Sequence, residues 1–333
     1  MLVGCKKCED VGVTRRMKRH GNLFEKIIDI DNIRLAHINA SKGKKDYDEV
    51  MEVNLDPEYY CQEVKRLLES KEYTTSKYTV FPKKDKGKDR IMYKLPYFPD
   101  RIVQHAIMQV TEQFWKGSLI ADTYQSIKGR GIHKCLPKLK KAVYGSTGDV
   151  YYAQMDVSKF YPSISNSLLK GVIRKKVKCK DTLWLLDDIV DSTDGVPIGN
   201  YVSQYFGNMY LSAIDHKFKE IYGVKNYFRY CDDIVIISND KQRLHELVAM
   251  MHTDLGEISL KIKNNYKVCK ITKRTGLDFL GYVLYSDRLL IRKGIKQNAK
   301  TFLSIANKAS YYGWFIHCDG HNLTNKLKQR KLR

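Results

Sequence analysis

Proline is scarce in this 333-residue chain, at seven residues, and no Pro/Gly-rich stretch, low-complexity tract or internal repeat interrupts it. That argues against fibrous, solenoid and linker-dominated architectures and implies parts that pack as one body. Long apolar runs are missing too: none approaches the roughly 20 residues of a membrane span. Met1-Leu2-Val3-Gly4, followed by charged residues, is not a secretion signal. The eight cysteines follow no framework spacing, which fits a reducing, cytoplasmic setting. Cys5-Lys6-Lys7-Cys8 is a lone CxxC with only His20 nearby, short of the second ligand pair that zinc requires, so its reading is structural or incidental. Acid is in deficit, with 37 Asp and Glu against 59 Lys and Arg, a formal net charge of +22. Such an excess points to a polyanionic partner, although a ribosomal or membrane-surface protein would share it. Eleven basic and two acidic residues fall in 287–333.

Against this background two acidic elements stand out. Tyr230-Cys231-Asp232-Asp233 lies between the strand-forming runs 227–230 and 234–237, which reads as a β-hairpin with paired carboxylates at its tip. Like charges so placed repel unless a cation neutralises them, and hard oxygen donors suit Mg²⁺ or Mn²⁺. Val150 to Met155 reads as a strand ending in Asp156. Strand-borne Asp156 beside the 232–233 turn would gather three carboxylates around two divalent ions, the arrangement that serves in-line phosphoryl displacement. The alternative for either element alone is an acidic surface turn.

Asp156 to Ile164, followed by Tyr230-Cys231-Asp232-Asp233, resembles the palm of a reverse transcriptase. The resemblance implies an α+β right-hand polymerase fold and RNA-templated DNA synthesis from deoxynucleoside triphosphates. It makes Asp156 and Asp232 the principal ligands of two Mg²⁺ ions, with Mn²⁺ as a substitute, Asp233 an auxiliary ligand and the Val157 carbonyl a further one. Tyr161 matches the family's steric gate against ribonucleotides; without Asp156 upstream it would read as a core aromatic.

The remaining motifs follow in order from about residue 78 to the end. Apolar positions Tyr60, Val64, Leu67 and Leu68 predict a helix over 57–70. Tyr78 to Leu95 predicts a hairpin with a basic turn, 82–88, and resembles the family's fingertips, which implies that Lys83 and Arg90 grip the incoming triphosphate. Asp100 is expected to cap the helix that opens Asp100-Arg101-Ile102-Val103-Gln104. Arg130, in Gln125 to His133, would touch template or nucleotide. Gly195 to Gln204 leads into a helix with Val202, Phe206, Met209 and Ala213 on its core stripe. Gly199, Ser203 and Gly207 on the other face would let a ligand approach, and the family places the nascent pair here, beside Gln204. Leu277 to Tyr282 resembles the primer grip, with Gly281 at its turn. Ile295, Ala299, Phe302, Leu303 and Ala306 form an amphipathic stripe flanked by Lys296 and Lys300, cations suited to template–primer phosphates.

Most retroelement polymerases have Gln-Gly-x-x-x-Ser-Pro where this chain has Ile198-Gly199-Asn200-Tyr201-Val202-Ser203-Gln204. That departure, with the stretch 309–323, resembles polymerases of diversity-generating retroelements. The subgroup implies error-prone copying of adenines in a template-repeat RNA into cDNA, and a small, basic, oligomeric accessory variability protein as partner. Ile198, unable to form the hydrogen bonds of Gln, is the candidate fidelity residue. The domains expected are an N-terminal extension (1–50), fingers (51–148), palm (149–285, with finger residues at about 163–196) and a basic helical thumb (286–333). The alternatives are another bacterial reverse transcriptase, of group II intron, retron or phage-defence type, and a catalytically silent RNA-binding scaffold. An intron enzyme normally carries maturase regions beyond the thumb, and the sequence stops at Arg333; retron thumb signatures are not recognisable in it.

Overall fold

In the computed structural model, residues 18–85, 88–301, 305–320 and 325 are described. Cys5, Cys8, Phe302, Leu303 and the stretch His321-Asn322-Leu323 lie outside them, as do the side chains of Lys300 and Ala306. The chain divides into two compact units, each assembled from separate segments: Met1–Thr75, Tyr97–Phe114 and Lys170–Ser192 in the first, Ser76–Pro96, Trp115–Leu169 and Thr193–Arg333 in the second.

The described part of the first unit is helical. Helix Pro57–Glu69 starts where the stripe predicts. Asp56 accepts the Tyr59 N–H at 3.1 Å and Pro57 occupies the first turn, a favoured N-terminal pairing. Cys61, Val64 and Leu68 form its buried face, while Tyr60 and Leu67 are only half-buried. It packs on helix Ile30–Ser41, joined by a two-pronged Arg34–Glu58 contact at 2.9 and 2.7 Å. Residues 24–55 are largely helical, with Ile27, Ile33, Ala36, Val50 and Val53 buried. Their periodicity is blurred because Leu35, Ile38, Met51 and Leu55 face outward. Asp100 is not a helix cap. It is fully buried inside the turn Tyr97–Arg101 and accepts the Tyr73 hydroxyl at 3.0 Å, and helix Ile102–Lys116 begins only after it.

In the second unit, β1 (Thr79–Asp85) and β2 (Lys88–Lys94) form the predicted hairpin, with strands that extend well into the expected turn. The central sheet has the order β4 (Tyr227–Tyr230), β5 (Asp233–Ser238), β3 (Val150–Asp156), β6 (Lys267–Ile271), antiparallel throughout. Helix Lys241–Glu257 buries Leu244, Leu247, Val248, Met251 and Leu255 and packs on β3, β5 and β6. A smaller sheet joins β7 (Leu277–Phe279), β8 (Tyr282–Leu284) and β9 (Leu289–Ile291). Its first turn has Leu280 at φ 55° and Gly281 at φ 83°, the double positive φ of a type I′ hairpin. A Cβ on Gly281 would lie 2.7 Å from the Trp314 ring and 2.8 Å from Ile295, so the turn is closed over by the segment that follows. Two short helices, Lys293–Thr301 and Ile305–Phe315, make up that segment. Among the described residues no helix is long and apolar enough to cross a membrane.

Beneath the β4–β5 turn lies a fully buried ion pair, Arg229 and Asp215. Its expected weight is testable. Arg229→Met, which strands the Asp215 charge, lowers unfolding free energy by about 3–5 kcal/mol in urea titration. Adding Asp215→Leu recovers most of that loss.

Candidate active site

The acidic site is built by strand register. Asp156 ends β3 directly opposite Asp233, the first residue of β5, so both side chains leave the same face from Cα atoms about 4.5–5.5 Å apart. Tyr230 pairs with Asp233 across the hairpin, leaving Cys231 and Asp232 as a two-residue turn. Cys231 sits at φ 60°, where a residue with a Cβ is strained by about 1–2 kcal/mol, as required at the first position of a II′ turn. The surroundings hold it there: Arg229 Nη1 donates to the Cys231 carbonyl at 3.0 Å and the Cys231 thiol donates to the Tyr161 hydroxyl at 3.4 Å. The Val157 N–H reaches the Asp232 carbonyl at 3.3 Å, tying the end of β3 to the turn.

Burial, and then the charge of Asp156, raise the Asp232 carboxyl above its ordinary value. The two acids therefore share one poorly solvated space, and an added cation would relieve both. Lys263 supplies part of that charge, its ammonium paired with Asp156 Oδ1. It is positioned by backbone: Ser158 N–H donates to the Lys261 carbonyl and Lys263 N–H to the Asp156 carbonyl, both at 2.8 Å, around a Val157–Ile262 bridge. Among the described residues no three His, Cys, Asp or Glu side chains already converge as a ligand set. The carboxylates of Asp156, Asp232 and Asp233 and the Val157 carbonyl are nonetheless hard oxygen donors, the chemistry that suits a divalent cation, with the Lys263 ammonium beside Asp156. A cavity of about 160 Å³ lined by Gln154, Met155, Asp156, Asp233, Asn265, Tyr266 and Lys267 opens beside it.

Other predicted site residues fall into two groups. Lys83 and Arg90 are cross-strand partners on the β1–β2 hairpin, so the two exposed cations lie side by side. Tyr161 is wedged between the Phe160 ring, at 5.1 Å, and Gly207, where a Cβ would stand 3.0 Å from Phe160 and 3.1 Å from Tyr161. Gly199, Ser203 and Gly207, expected to let a ligand approach, each have protein atoms close by. The helix spans Ser203–Tyr210 and begins only after Gly199. Gly199, at φ 135°, lies under β2, where a Cβ would come 2.1 Å from the Tyr93 carbonyl oxygen. The buried Ser203 hydroxyl donates to the Pro197 carbonyl at 2.7 Å. Gln204 is exposed, as is Ala213, expected on the core stripe; Val202, Phe206 and Met209 are buried. Ile198 is half-buried, its carbonyl accepting the Tyr93 N–H at 2.9 Å. Arg130 donates to the Ile120 carbonyl at 2.7 Å, bracing its own loop. Lys296 is exposed on its helix.

Two charged partners of the acidic residues escaped the sequence reading. Lys263 carried no signal, being one lysine among many. Arg229 did: a fixed charge within an apolar strand demands a buried counter-charge, which Asp215 provides. For Lys263, a pair still partly open to water, the expected contribution is small. Lys263→Met lowers the unfolding free energy in metal-free buffer by about 1 kcal/mol, measured by urea titration in EDTA, and Asp156→Asn in the same chain restores it.

The chain is similar to several known proteins. A family profile described as "Reverse transcriptase (RNA-dependent DNA polymerase)" matches residues 81–284, more than half of the chain. The Escherichia coli K12 protein YkfC is 24% identical over 254 residues, covering 63% of this chain and 66% of YkfC. The Escherichia coli retron Ec73 reverse transcriptase is 23% identical over 242 residues, covering 68% of this chain and 74% of that protein. Among solved structures, apo telomerase from Candida tropicalis superposes with a TM-score of 0.52 at 11% identity, over 72% of this chain and 52% of that one. The same telomerase with a fragment of telomeric RNA gives 0.50 at 13% identity, over 77% and 52%. This chain thus spans about half the length of the telomerase chains and just under two thirds of YkfC. The fold is the α+β right-hand polymerase fold, and the chain belongs to the reverse transcriptase (RNA-dependent DNA polymerase) family.

Proposed function

We propose that this protein is an RNA-directed DNA polymerase that copies a template-repeat RNA into cDNA, with infidelity at adenines, for diversification of a target gene. The observation that carries the polymerase reading is the β3–β5 register, which sets Asp156 opposite Asp233 next to the Asp232 turn. Asp156 and Asp232 would hold two Mg²⁺ ions, with Asp233 and the Val157 carbonyl as further ligands. Bound there, the ions supply activation of the primer 3′-hydroxyl and charge neutralisation on the departing pyrophosphate. The chain's own groups do the rest. Lys83 and Arg90 draw in the triphosphate of the dNTP, a point charge and a planar fork on one hairpin face. Tyr161, immobilised by Phe160, Gly207 and the Cys231 thiol, blocks a ribose 2′-hydroxyl. Lys296, Lys300, Arg130 and the Gly281 turn would follow the template–primer backbone. The hand's divisions would be those expected: an extension (1–50), fingers (51–148 and about 163–196), palm (149–285) and thumb (286–333), acting in the cytoplasm.

Incorporation of dNTPs on primed RNA with Mg²⁺ tests the chemistry. Asp232→Ala should lower it by about a hundredfold or more, the scale of removing a group that stabilises the transition state electrostatically. Tyr161→Ala should leave dNTP use largely intact while reducing discrimination against ribonucleotides by about tenfold or more. A wild-type protein with no incorporation would return the silent RNA-binding scaffold.

The diversity-generating assignment rests on Ile198 to Gln204, and infidelity has a physical route there. An apolar Ile198 checks base geometry less tightly than a hydrogen-bonding Gln would. In primer extension, Ile198→Gln should lower misincorporation opposite adenine toward that at other bases; an unchanged rate defeats the route. A small basic accessory protein would act with the enzyme. The likeness to a retron reverse transcriptase favours a second reading, a retron-type enzyme without the bias at adenines. Equal fidelity at all four bases would select it.

A further inference from the structure

Two basic runs 158 positions apart in the chain meet in the first unit. Residues 18–21 read Lys-Arg-His-Gly and residues 174–180 read Arg-Lys-Lys-Val-Lys-Cys-Lys. His20 and Val177 form a β-bridge, closed by His20 N–H to the Lys176 carbonyl at 2.7 Å and Lys178 N–H to the His20 carbonyl at 2.9 Å. Arg19 adds a bond from Nη2 to the Val177 carbonyl at 3.3 Å. The result is a two-strand ribbon carrying Lys18, Arg19, Lys175, Lys176 and Lys178. The field of Lys18 and Lys176, on top of burial, lowers the His20 imidazole below its ordinary value.

The carboxylates on the neighbouring helix do not relieve this crowding. Asp181 pairs with Lys71 at 3.0 Å, Asp191 with Lys170 at 2.6 Å, and Asp187 with Arg174. Among the described residues Lys18, Lys175, Lys176 and Lys178 have no ion-pair partner. At the ribbon's edge the His20 ring stacks on Phe114 with centroids 4.3 Å apart, both half-exposed. Concentrated cations next to a stacked, partly open aromatic pair match the needs of a single strand: phosphates to neutralise and a base to stack.

We propose that this ribbon is a docking surface for single-stranded RNA, distinct from the palm site and serving to hold template outside the copied stretch. The inference rests on the family's use of an RNA template. Its test is binding without nucleotides, so failure of polymerisation and failure of the surface are read separately. The probe is a single-stranded oligoribonucleotide and the protein is the full chain. In the quadruple variant Lys18→Ala/Lys175→Ala/Lys176→Ala/Lys178→Ala, the slope of log affinity against log salt should become shallower by about 3, at roughly 0.7 per lost phosphate contact. Phe114→Ala should weaken binding by about tenfold with the slope unchanged. If the quadruple variant fails to melt cooperatively, Lys175→Ala/Lys178→Ala, two exposed side chains, should still lower the slope by about 1.4. An unchanged slope in a folded variant overturns the proposal. So does a loss confined to binding of vesicles containing anionic phospholipid, with RNA affinity intact.

Discussion

The acidic turn depends on Arg229. Its guanidinium is wholly buried and every N–H has an acceptor: Nε and Nη2 go to Asp215 at 2.8 and 2.5 Å, and Nη1 to Asn208 Oδ1 and the Cys231 carbonyl, both at 3.0 Å. The last Nη2 proton goes to the Asn208 carbonyl at 3.2 Å. Asp215 in turn accepts the Tyr227 hydroxyl at 2.8 Å and the Thr123 hydroxyl at 3.3 Å. The backbone of Arg229 is held as well, its N–H on the Asp122 carbonyl and its carbonyl on the Tyr124 N–H, each at 3.0 Å. A buried ion pair stabilises little against an apolar substitute, but it permits one arrangement and penalises others steeply. Here the arrangement specified is the left-handed Cys231, and through it the position of Asp232.

That rigidity answers an electrostatic problem. Asp156, Asp232 and Asp233 repel one another, and a compliant turn would let them separate. The antiparallel register fixes Asp156 against Asp233, the Arg229 network fixes the turn, and Lys263 offsets part of the charge while leaving Asp232 raised. Pre-placing the charges means that the cost of assembling them is met at folding and not when a cation binds.

The sequence made some of this legible and hid the rest for definable reasons. Strand, turn and strand around Asp232 were readable because apolar runs of period-two or continuous type flank a turn. So was helix Pro57–Glu69, with its cap and stripe. The division into two units was not, because two of its five boundaries, at Phe114 and Leu169, fall inside helices with no change in composition. Asp100 was misread because a helix-capping aspartate and a buried acceptor for Tyr73 look alike in sequence. The small residues near 199–207 were legible as points of close approach, but their protein neighbours were not. Glycine signals that something passes close, and only the fold identifies it as the Tyr93 backbone and the Phe160 and Tyr161 rings.

These close approaches also tie together the residues proposed to select the nucleotide. Gly207 lets the Tyr161 ring settle against the helix, and the Cys231 thiol holds its hydroxyl. Gly199 lets β2 run against the segment that carries Ile198, whose carbonyl is bonded to Tyr93. Asn200, buried beside it, donates to the Tyr78 hydroxyl at 2.7 Å, and the Tyr78 and Tyr93 rings meet edge to face at 5.6 Å. A shift of the β1–β2 hairpin therefore cannot leave Ile198 unmoved, since three contacts tie them. Triphosphate held by Lys83 and Arg90 on that hairpin would be coupled through backbone to the residue proposed to judge the base. A single flexible joint at 198–200 would break that coupling, and glycine at 199 does not supply one, because β2 fills the space its missing side chain leaves.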